Sequence, residues 1–451
     1  MAIDVVILAA GKGTRMKSSL PKVLHKIAGK PMVEHIIDAA SSLDIDSLNI
    51  VYGHQAELLQ KSLSHHQVNW CLQAQQLGTG HAVQQSLSFL NDTNDALILV
   101  GDAPLITSDT LQRLIDAKKQ ADFALLTVHM DDPTGMGRII RDGDNISAIV
   151  EHKDASPEQL AINEINTGMM LLPVSDLKRW LANLSNDNAQ GEFYLTDVIE
   201  MAANEDKRIK AAHPVWEREV EGVNDRVQLA SLECALQLKL AEQLMRQGAS
   251  LADPHRIDIR GQLSVGNDVE IDVNCVFEGE VVLGEGVKIG PNCVLKDCTI
   301  GDNTVIEAFS LIQQAQVANA CTVGPYARLR PGADLRENAK VGNFCEVKKA
   351  VIGNGSKVNH LTYIGDADIG ANVNIGAGTI TCNYDGVNKF KTKIEDDVFV
   401  GSNSSLVAPV TVAKGATVGA GSTITKNVDG EQLAVARGKQ RNISGWQKPS
   451  K

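Results

Sequence analysis

Two groups of residues in this sequence carry chemistry that packing alone does not require. The first opens the chain, where the strand-like Val5-Val6-Ile7-Leu8 runs into Ala9-Ala10-Gly11-Lys12-Gly13-Thr14-Arg15-Met16, and Pro21-Lys22 follows. Glycines at 11 and 13 let backbone N–H groups close around phosphate oxygens, while Arg15 and Lys22 add the cationic charge that phosphoryl-transfer transition states require. Met16 stands where a dinucleotide fingerprint needs its third glycine, and the Walker lysine spacing is absent, so this is a different phosphate loop. A plain strand-to-helix turn with solvated charges is the competing reading. Asp102, after Val100-Gly101, ends a strand-like run where open α/β sheets put their ligands, though such a residue also suits a helix cap.

The second group lies in the other half of the chain. His360 and Tyr363 stand in KVNHLTYIGD, Asn374 in NVNIGAG, and Asn383, Tyr384 and Lys389 in TCNYDGVNKFKTK, with Arg330 and Lys348 upstream. An imidazole titrates in the range useful to a base that takes the proton of an amine during acyl transfer from a thioester. Two cations suit a phosphate on the acceptor. A lone histidine on a β-wall is otherwise structural or solvated, and the basic tail with Arg437, Lys439 and Arg441 is otherwise a frayed terminus.

The elements that position the second group are set by a six-residue repeat. Aliphatic residues or Phe recur at Val265, Ile271, Phe277, Leu283, Ile289 and Leu295, again from Ile300 through Ile375 with one-residue slips, and from Ile394 through Ile424 in clean sixes. Such a period marks a β-solenoid. One buried aliphatic side chain contributes about 1.5 to 3 kcal/mol, whereas ordering six backbone residues costs at least about 6 kcal/mol. Stability therefore comes from stacking, with three hexads making one turn of a triangular prism. Arg330 and Lys348 follow anchors, where Gly is the commonest choice, and the stretch from Thr381 to Lys393 is an excursion from the wall. Cys275, Cys293, Cys321 and Cys345 each lie four residues after an anchor and read as small core residues.

For the first group the alternation of apolar runs with helical patterns predicts a parallel sheet covered by helices on both faces, of Rossmann-like α/β class. Strands are expected over 5–9, 48–52, 96–100 and 124–129, and helices over 32–43 and 110–120. Arg226 to Gln247 lacks Gly and Pro and stops at Gly248, which predicts a long connecting helix. The expected organisation is a first domain over 1–226, a linker helix over 227–247 and a solenoid domain with its tail over 248–451.

A chain of 451 residues exceeds what one core usually serves. A net charge of −12 argues against a nucleic-acid footprint, and no apolar run is long enough for a membrane span. No secretory leader pattern precedes the first strand, and none of the eight cysteines forms a CxxC pair, so a cytoplasmic protein with free thiols is expected.

LAAGKGTRM with the following PK closely resembles the signature of sugar-phosphate nucleotidyltransferases. LQAQQLGTGHA, TGMGRI, IVEHKDA, EINTGM and EGVNDR resemble, in the same order, segments of the uridylyltransferase branch, and NIGAGTITCNYDG with NKFKT resembles the acetyltransferase half of bacterial bifunctional N-acetylglucosamine-1-phosphate uridylyltransferase/glucosamine-1-phosphate acetyltransferases. The resemblance spans nearly the whole chain. It implies UTP and sugar binding by Leu8, Ala9, Ala10, Gly11, Lys22, Gln73, Gly78, Thr79, Val100, Gly101, Asp102, Gly137, Glu151, Asn166 and Asn224, with Arg15 and Lys22 catalytic. It further implies Mg²⁺ on Asp102 and Asn224, His360 as general base, and a sugar phosphate held by Arg330, Lys348, Tyr363, Asn374 and Lys389. Acetyl-CoA would meet Ala377, Asn383, Tyr384, Ser402, Ala420 and Arg437. A left-handed parallel β-helix, a homotrimer with acetyltransferase sites between chains, and a product feeding cell-envelope polysaccharides are likewise implied. Two rivals keep the first activity alone and make the solenoid allosteric or purely structural.

Overall fold

The computed structural model describes residues 2–53 and 56–449, and the chain forms two compact units, Met1–Leu236 and Gln237–Lys451. In the first, the apolar runs become a sheet in the order Ile209–Ala212, Phe123–His129, Glu164–Pro173, Asp95–Val100, Ile3–Ala9, Ser47–Tyr52 and Asn69–Leu72. Alternation along each strand feeds two cores. Val5, Ile7, Leu97 and Leu99 face one side with Ile36, Ile37, Leu111 and Leu114, which come from helices Met32–Ser41 and Ser108–Lys118. Val6 and Ile98 face the other with Leu177 and Trp180 of helix Val174–Leu181. Both expected helices are present, with ends shifted by two residues.

The sheet is not wholly parallel as expected. Glu164–Pro173 runs antiparallel to both its neighbours. A hairpin of Arg138–Asp142 and Asn145–Val150 precedes it, and the apolar pattern of a strand carries no information on its direction.

From Ile3–Ala9 the chain moves outward to Ser47–Tyr52 and Asn69–Leu72, then comes back to the opposite side of the first strand as Asp95–Val100, with Leu8 beside Val100. That reversal opens a crevice at the carboxyl ends of the two central strands.

Helix Arg226–Arg246 ends one residue before the expected Gln247, and Gly248 supplies the left-handed stop at φ 110°. Its Leu232 packs with Met16 and Ile27 in the first unit, and its Ala241 and Leu244 join the core of the second.

The second unit is a parallel β-helix. Ile271 pairs with Ile289 and Ile289 with Ile306, each the third anchor along from the last, so a coil is three hexads with an occasional one-residue deficit. The anchors are buried except Val265, which is only partly so. Corners are turned three residues after an anchor by residues in the left-handed region, among them Asp268, Asn274, Asn292, Asn303, Asn338 and Asn372, whose side chains tolerate it. The position four after an anchor points inward, where Ser356 donates to the Gly370 carbonyl at 2.6 Å and Thr304 to that of Ala318 at 2.9 Å, while the buried Ser310 hydroxyl has no partner among the described residues.

The excursion is shorter than its sequence limits. Thr381 and Cys382 stay in the wall, as do Thr392 and Lys393. Thr381 is itself an anchor, fully buried, accepting from the Gly365 N–H at 2.7 Å. The coil that carries the loop is longer than the others, yet it returns Val400 directly onto Ile375 without losing register.

The cysteines are free thiols. Burial pushes Cys293 and Cys298 up to about 12 and Cys321 to about 11. In a labelling time course on the native chain, Cys234, which is exposed, reacts first, and Cys293 and Cys298 react only on the timescale of opening. Peptide mapping after quenching reads this directly; early modification of Cys293 would contradict the buried assignment. Among the described residues no helix is long and apolar enough to cross a membrane.

Candidate active sites

The crevice of the first unit is a cleft of about 270 Å³, lined by Leu8, Ala9, Ala10, Gly11, Lys22, Val23, Gln73, Gln76, Gly78, Thr79, Ala82, Val100, Asp102 and Glu192. Gly13, at φ 58°, turns the loop so that the stem of Lys22 passes against it; a Cβ there would meet the Lys22 Cβ at 2.7 Å. Gly101 lets the strand ends approach, since a Cβ would meet the Leu8 carbonyl at 2.7 Å. Gln73 is buried and donates to the Gly78 carbonyl at 3.1 Å, which fixes the turn leading to Thr79. The Thr79 hydroxyl in turn accepts from the Leu195 N–H at 3.1 Å.

The ionisable residues converge. The Lys22 ammonium contacts the Asp102 carboxylate and lies 3.5 Å from the Asn224 amide oxygen, and the same oxygen accepts from Arg15 at 2.8 Å. Residues 15, 22, 102 and 224 therefore meet at one point, although they are far apart in sequence. Gly137, Glu151 and Asn166 form a second group: Asn166 donates its backbone N–H to the Gly137 carbonyl at 2.9 Å, and Glu151 lies against Gly137. Gly168, at φ 79°, brings this strand against Val100 of the cleft, where a Cβ would come within 3.0 Å.

Away from the cations Lys22 and Arg15, burial pushes the Glu151 carboxyl up, and burial followed by the charges of Glu200 and Glu151 pushes Asp197 up to about 6. Gln76 and Glu192 line the cleft and are not expected from sequence; Gln76 sits inside the quoted LQAQQLGTGHA segment, whereas nothing in its own segment marks Glu192.

In the β-helix the departures from the repeat fall into two columns. Arg330 and Lys348 occupy equivalent positions in successive coils, and Lys389 of the loop comes over them. Lys389 first, then Arg330, hold the Lys348 ammonium below its ordinary range, the mark of cations crowded together. Arg330 is also paired with Glu346 at 2.7 Å. The loop is closed by a bridge between Tyr384 and Lys389, and Asn383 is held by the Asp366 carboxylate. Tyr363 lays its ring over Gly365, where a Cβ would collide with the hydroxyl. Asn374 pairs with Lys357 and Phe399 in the neighbouring wall.

His360, Ala377, Ser402 and Ala420 stand two residues after their anchors on successive coils, at one corner. Arg437 reaches this column, donating to the Ala420 carbonyl at 2.6 Å. The His360 Nδ1 lies 2.8 Å from the Asn343 Oδ1. An amide oxygen can only accept, so Nδ1 carries the proton and Nε2 offers its lone pair outward. Sequence reasoning misses Asn343; it sits one coil before His360 in the same column, so a search at the coil period finds it. Among the described residues no hydrogen bond or ion pair within one chain joins His360 to the cations Arg330, Lys348 and Lys389.

Comparison with known proteins accords with two chemical centres. Residues 5–191 match the MobA-like NTP transferase domain, residues 259–333 the GMPPB C-terminal domain, and residues 391–426 the bacterial transferase hexapeptide (six repeats). Among solved structures, a UDP-glucose pyrophosphorylase complexed with UDP-glucose is 17% identical and covers 53% of this chain and 100% of its own at a TM-score of 0.43, a likeness too slight to bear on function. The "Bifunctional protein GlmU" of Pseudoalteromonas atlantica is 65% identical over 451 residues, all of both chains. A nucleotidyltransferase unit followed by a hexapeptide β-helix of the left-handed class, matched from end to end by such a relative, places the chain in the GlmU family of bifunctional uridylyltransferase/acetyltransferases.

Proposed function

We propose that the second unit acetylates glucosamine-1-phosphate with acetyl-CoA and that the first then transfers UMP from UTP to the N-acetylglucosamine-1-phosphate formed, releasing pyrophosphate. The observation that carries this reading is that each unit gathers its own set of charged and polar residues, which its fold does not need: Arg15, Lys22, Asp102 and Asn224 at one point, and Arg330, Lys348 and Lys389 with a separately oriented His360 on the β-helix.

In the first unit, a phosphate oxygen of the sugar phosphate attacks the α-phosphorus of UTP. The bond to the bridging oxygen breaks, and its electron pair leaves with pyrophosphate. Lys22 and Arg15 neutralise charge that grows on the phosphate oxygens, and the loop after Leu8 fixes the line of attack. Glu151 and Asn166 take hydroxyl groups of the sugar or ribose. Asp102 and Asn224 present hard oxygen donors that a single cation, the Lys22 ammonium, already spans, a donor set that fits Mg²⁺. Bound there, Mg²⁺ supplies charge neutralisation on the phosphates.

In the second unit, the amine of the acceptor attacks the thioester carbonyl. His360 Nε2 takes the amine proton, the C–S bond breaks, and the thiolate leaves as coenzyme A. Arg330, Lys348 and Lys389 hold the acceptor phosphate, which relieves their mutual repulsion. Ala377, Ser402 and Ala420 offer small side chains along the His360 column, and with Asn383, Tyr384 and Arg437 they receive acetyl-CoA.

Acetyltransferase sites completed by neighbouring copies in a homotrimer form part of this reading, as a hexapeptide β-helix in a chain of this family suggests. An exposed apolar ladder adds to this. Phe309, Tyr326 and Phe344 stack at one corner with ring centroids 4.9 and 5.3 Å apart, and Leu361 continues the column. Free buried thiols and intracellular substrates favour a cytoplasmic setting.

The test supplies glucosamine-1-phosphate, acetyl-CoA, UTP and Mg²⁺ and follows free thiol and pyrophosphate together. Thiol appears first and pyrophosphate follows. Pyrophosphate from N-acetylglucosamine-1-phosphate with no thiol release from the amine would reduce the β-helix to a structural or allosteric part.

A further inference from the structure

A third constellation lies outside both sites. Glu34 is in the first turn of helix Met32–Ser41, and His65 and His66 follow helix Ala56–Ser62. The Nε2 atoms of both histidines converge on one carboxylate oxygen, Glu34 Oε1, at 2.8 and 3.4 Å. Their rings are 4.2 Å apart and tilted by 42°, and the three donor atoms lie within 4.8 Å of one another.

The arrangement is built rather than loose. Leu63, fully buried, donates its N–H to the Leu59 carbonyl, and His66 donates its own to the Leu63 carbonyl at 3.0 Å, so the turn that presents both imidazoles is pinned to the core. Glu34 and His66 are half-buried, and His65 is exposed. The neighbouring cation Lys30 is taken by Asp38, which leaves Glu34 to the histidines.

We propose that Glu34, His65 and His66 bind a borderline divalent cation of the Zn²⁺ type, with water completing its shell. Zn²⁺ takes imidazole nitrogen and carboxylate oxygen at about 2.0 to 2.2 Å, which sets tetrahedral donor–donor separations near about 3.3 Å. The two separations seen bracket that value. An N₂O donor set favours such a cation over Mg²⁺, which prefers oxygen. A second cluster, His129, Glu164 and His213, has similar members, but there Arg141 takes both oxygens of Glu164 at 2.7 Å, and the carboxylate is committed.

The experiment titrates Zn²⁺ into the full chain in Mg²⁺ buffer, in competition with a chromophoric chelator. The wild type takes up one equivalent that Glu34→Gln, which preserves size and shape, weakens by at least about tenfold. His66→Ala removes that equivalent, and His213→Ala leaves it in place. Cu²⁺ substituted into the same site shows coupling to imidazole nitrogen in its paramagnetic resonance spectrum, kept in His213→Ala and lost in His66→Ala. Both transfer activities, measured on every variant, report folding, and Glu34→Gln retains them. No stoichiometric uptake by the wild type, or uptake unaltered in both Glu34→Gln and His66→Ala, overturns the proposal.

Discussion

His360→Ala lowers acetyl transfer by about 10² to 10⁴ and leaves uridylyl transfer from N-acetylglucosamine-1-phosphate unchanged. The magnitude is that of a lost general base, because the imidazole sits at an exposed corner and contributes no packing whose loss would add to it. The variant lacks a group that takes the amine proton while the C–N bond forms, so kcat falls and the KM for acetyl-CoA stays. Asn343→Ala provides the companion result. Without its acceptor the Nδ1 proton is no longer held, the imidazole samples both tautomers and other rotamers, and the rate falls by less than in His360→Ala. A His360→Ala enzyme that acetylates at the wild-type rate would remove the histidine from the chemistry. Loss of both activities in a folded His360→Ala chain would break the independence of the two sites.

Asp102→Ala does the reverse. Uridylyl transfer falls by at least about 10², and thiol release from acetyl-CoA with glucosamine-1-phosphate is untouched. The carboxylate is the direct partner of Lys22, and it shares that ammonium with Asn224, so its removal takes away the proposed metal ligand and leaves the lysine with Asn224 alone. Asp102→Asn separates the two effects: it keeps an oxygen at the same place but not the charge, and raising Mg²⁺ restores part of its rate. A Mg²⁺ dependence identical to wild type in Asp102→Asn would show that this carboxylate does not hold the ion.

The residues differ in how much the sequence reveals of them, for physical reasons. The hexads are legible because a six-residue side of the prism returns every anchor to the same inward direction, where an apolar side chain is stable without any partner. Thr381 hides from that pattern, since its inward hydroxyl is satisfied by Gly365, a partner known only once coils are stacked. The phosphate loop and Asp102 are legible from glycine placement and a strand end. That Arg15 and Lys22 share Asn224 is not, because it depends on where the start of a distant helix returns. Asn343 is hidden for a related reason: its signal is a period of one coil, longer than the hexad, and it reaches His360 only across that full turn. The direction of Glu164–Pro173 has no signature in hydrophobicity at all.

The coil step has a further consequence. Every wall residue pairs with partners a single turn before or after it, even where the loop lengthens the turn, so no contact in the walls waits for a distant part of the chain to be made. A parallel sheet ordinarily forms slowly because its partners are remote in sequence. Here the closure entropy is small and nearly the same for each turn. The prism can therefore grow on the ribosome by accretion, one coil settling on the last as it emerges, each completed turn offering the template edge for the next.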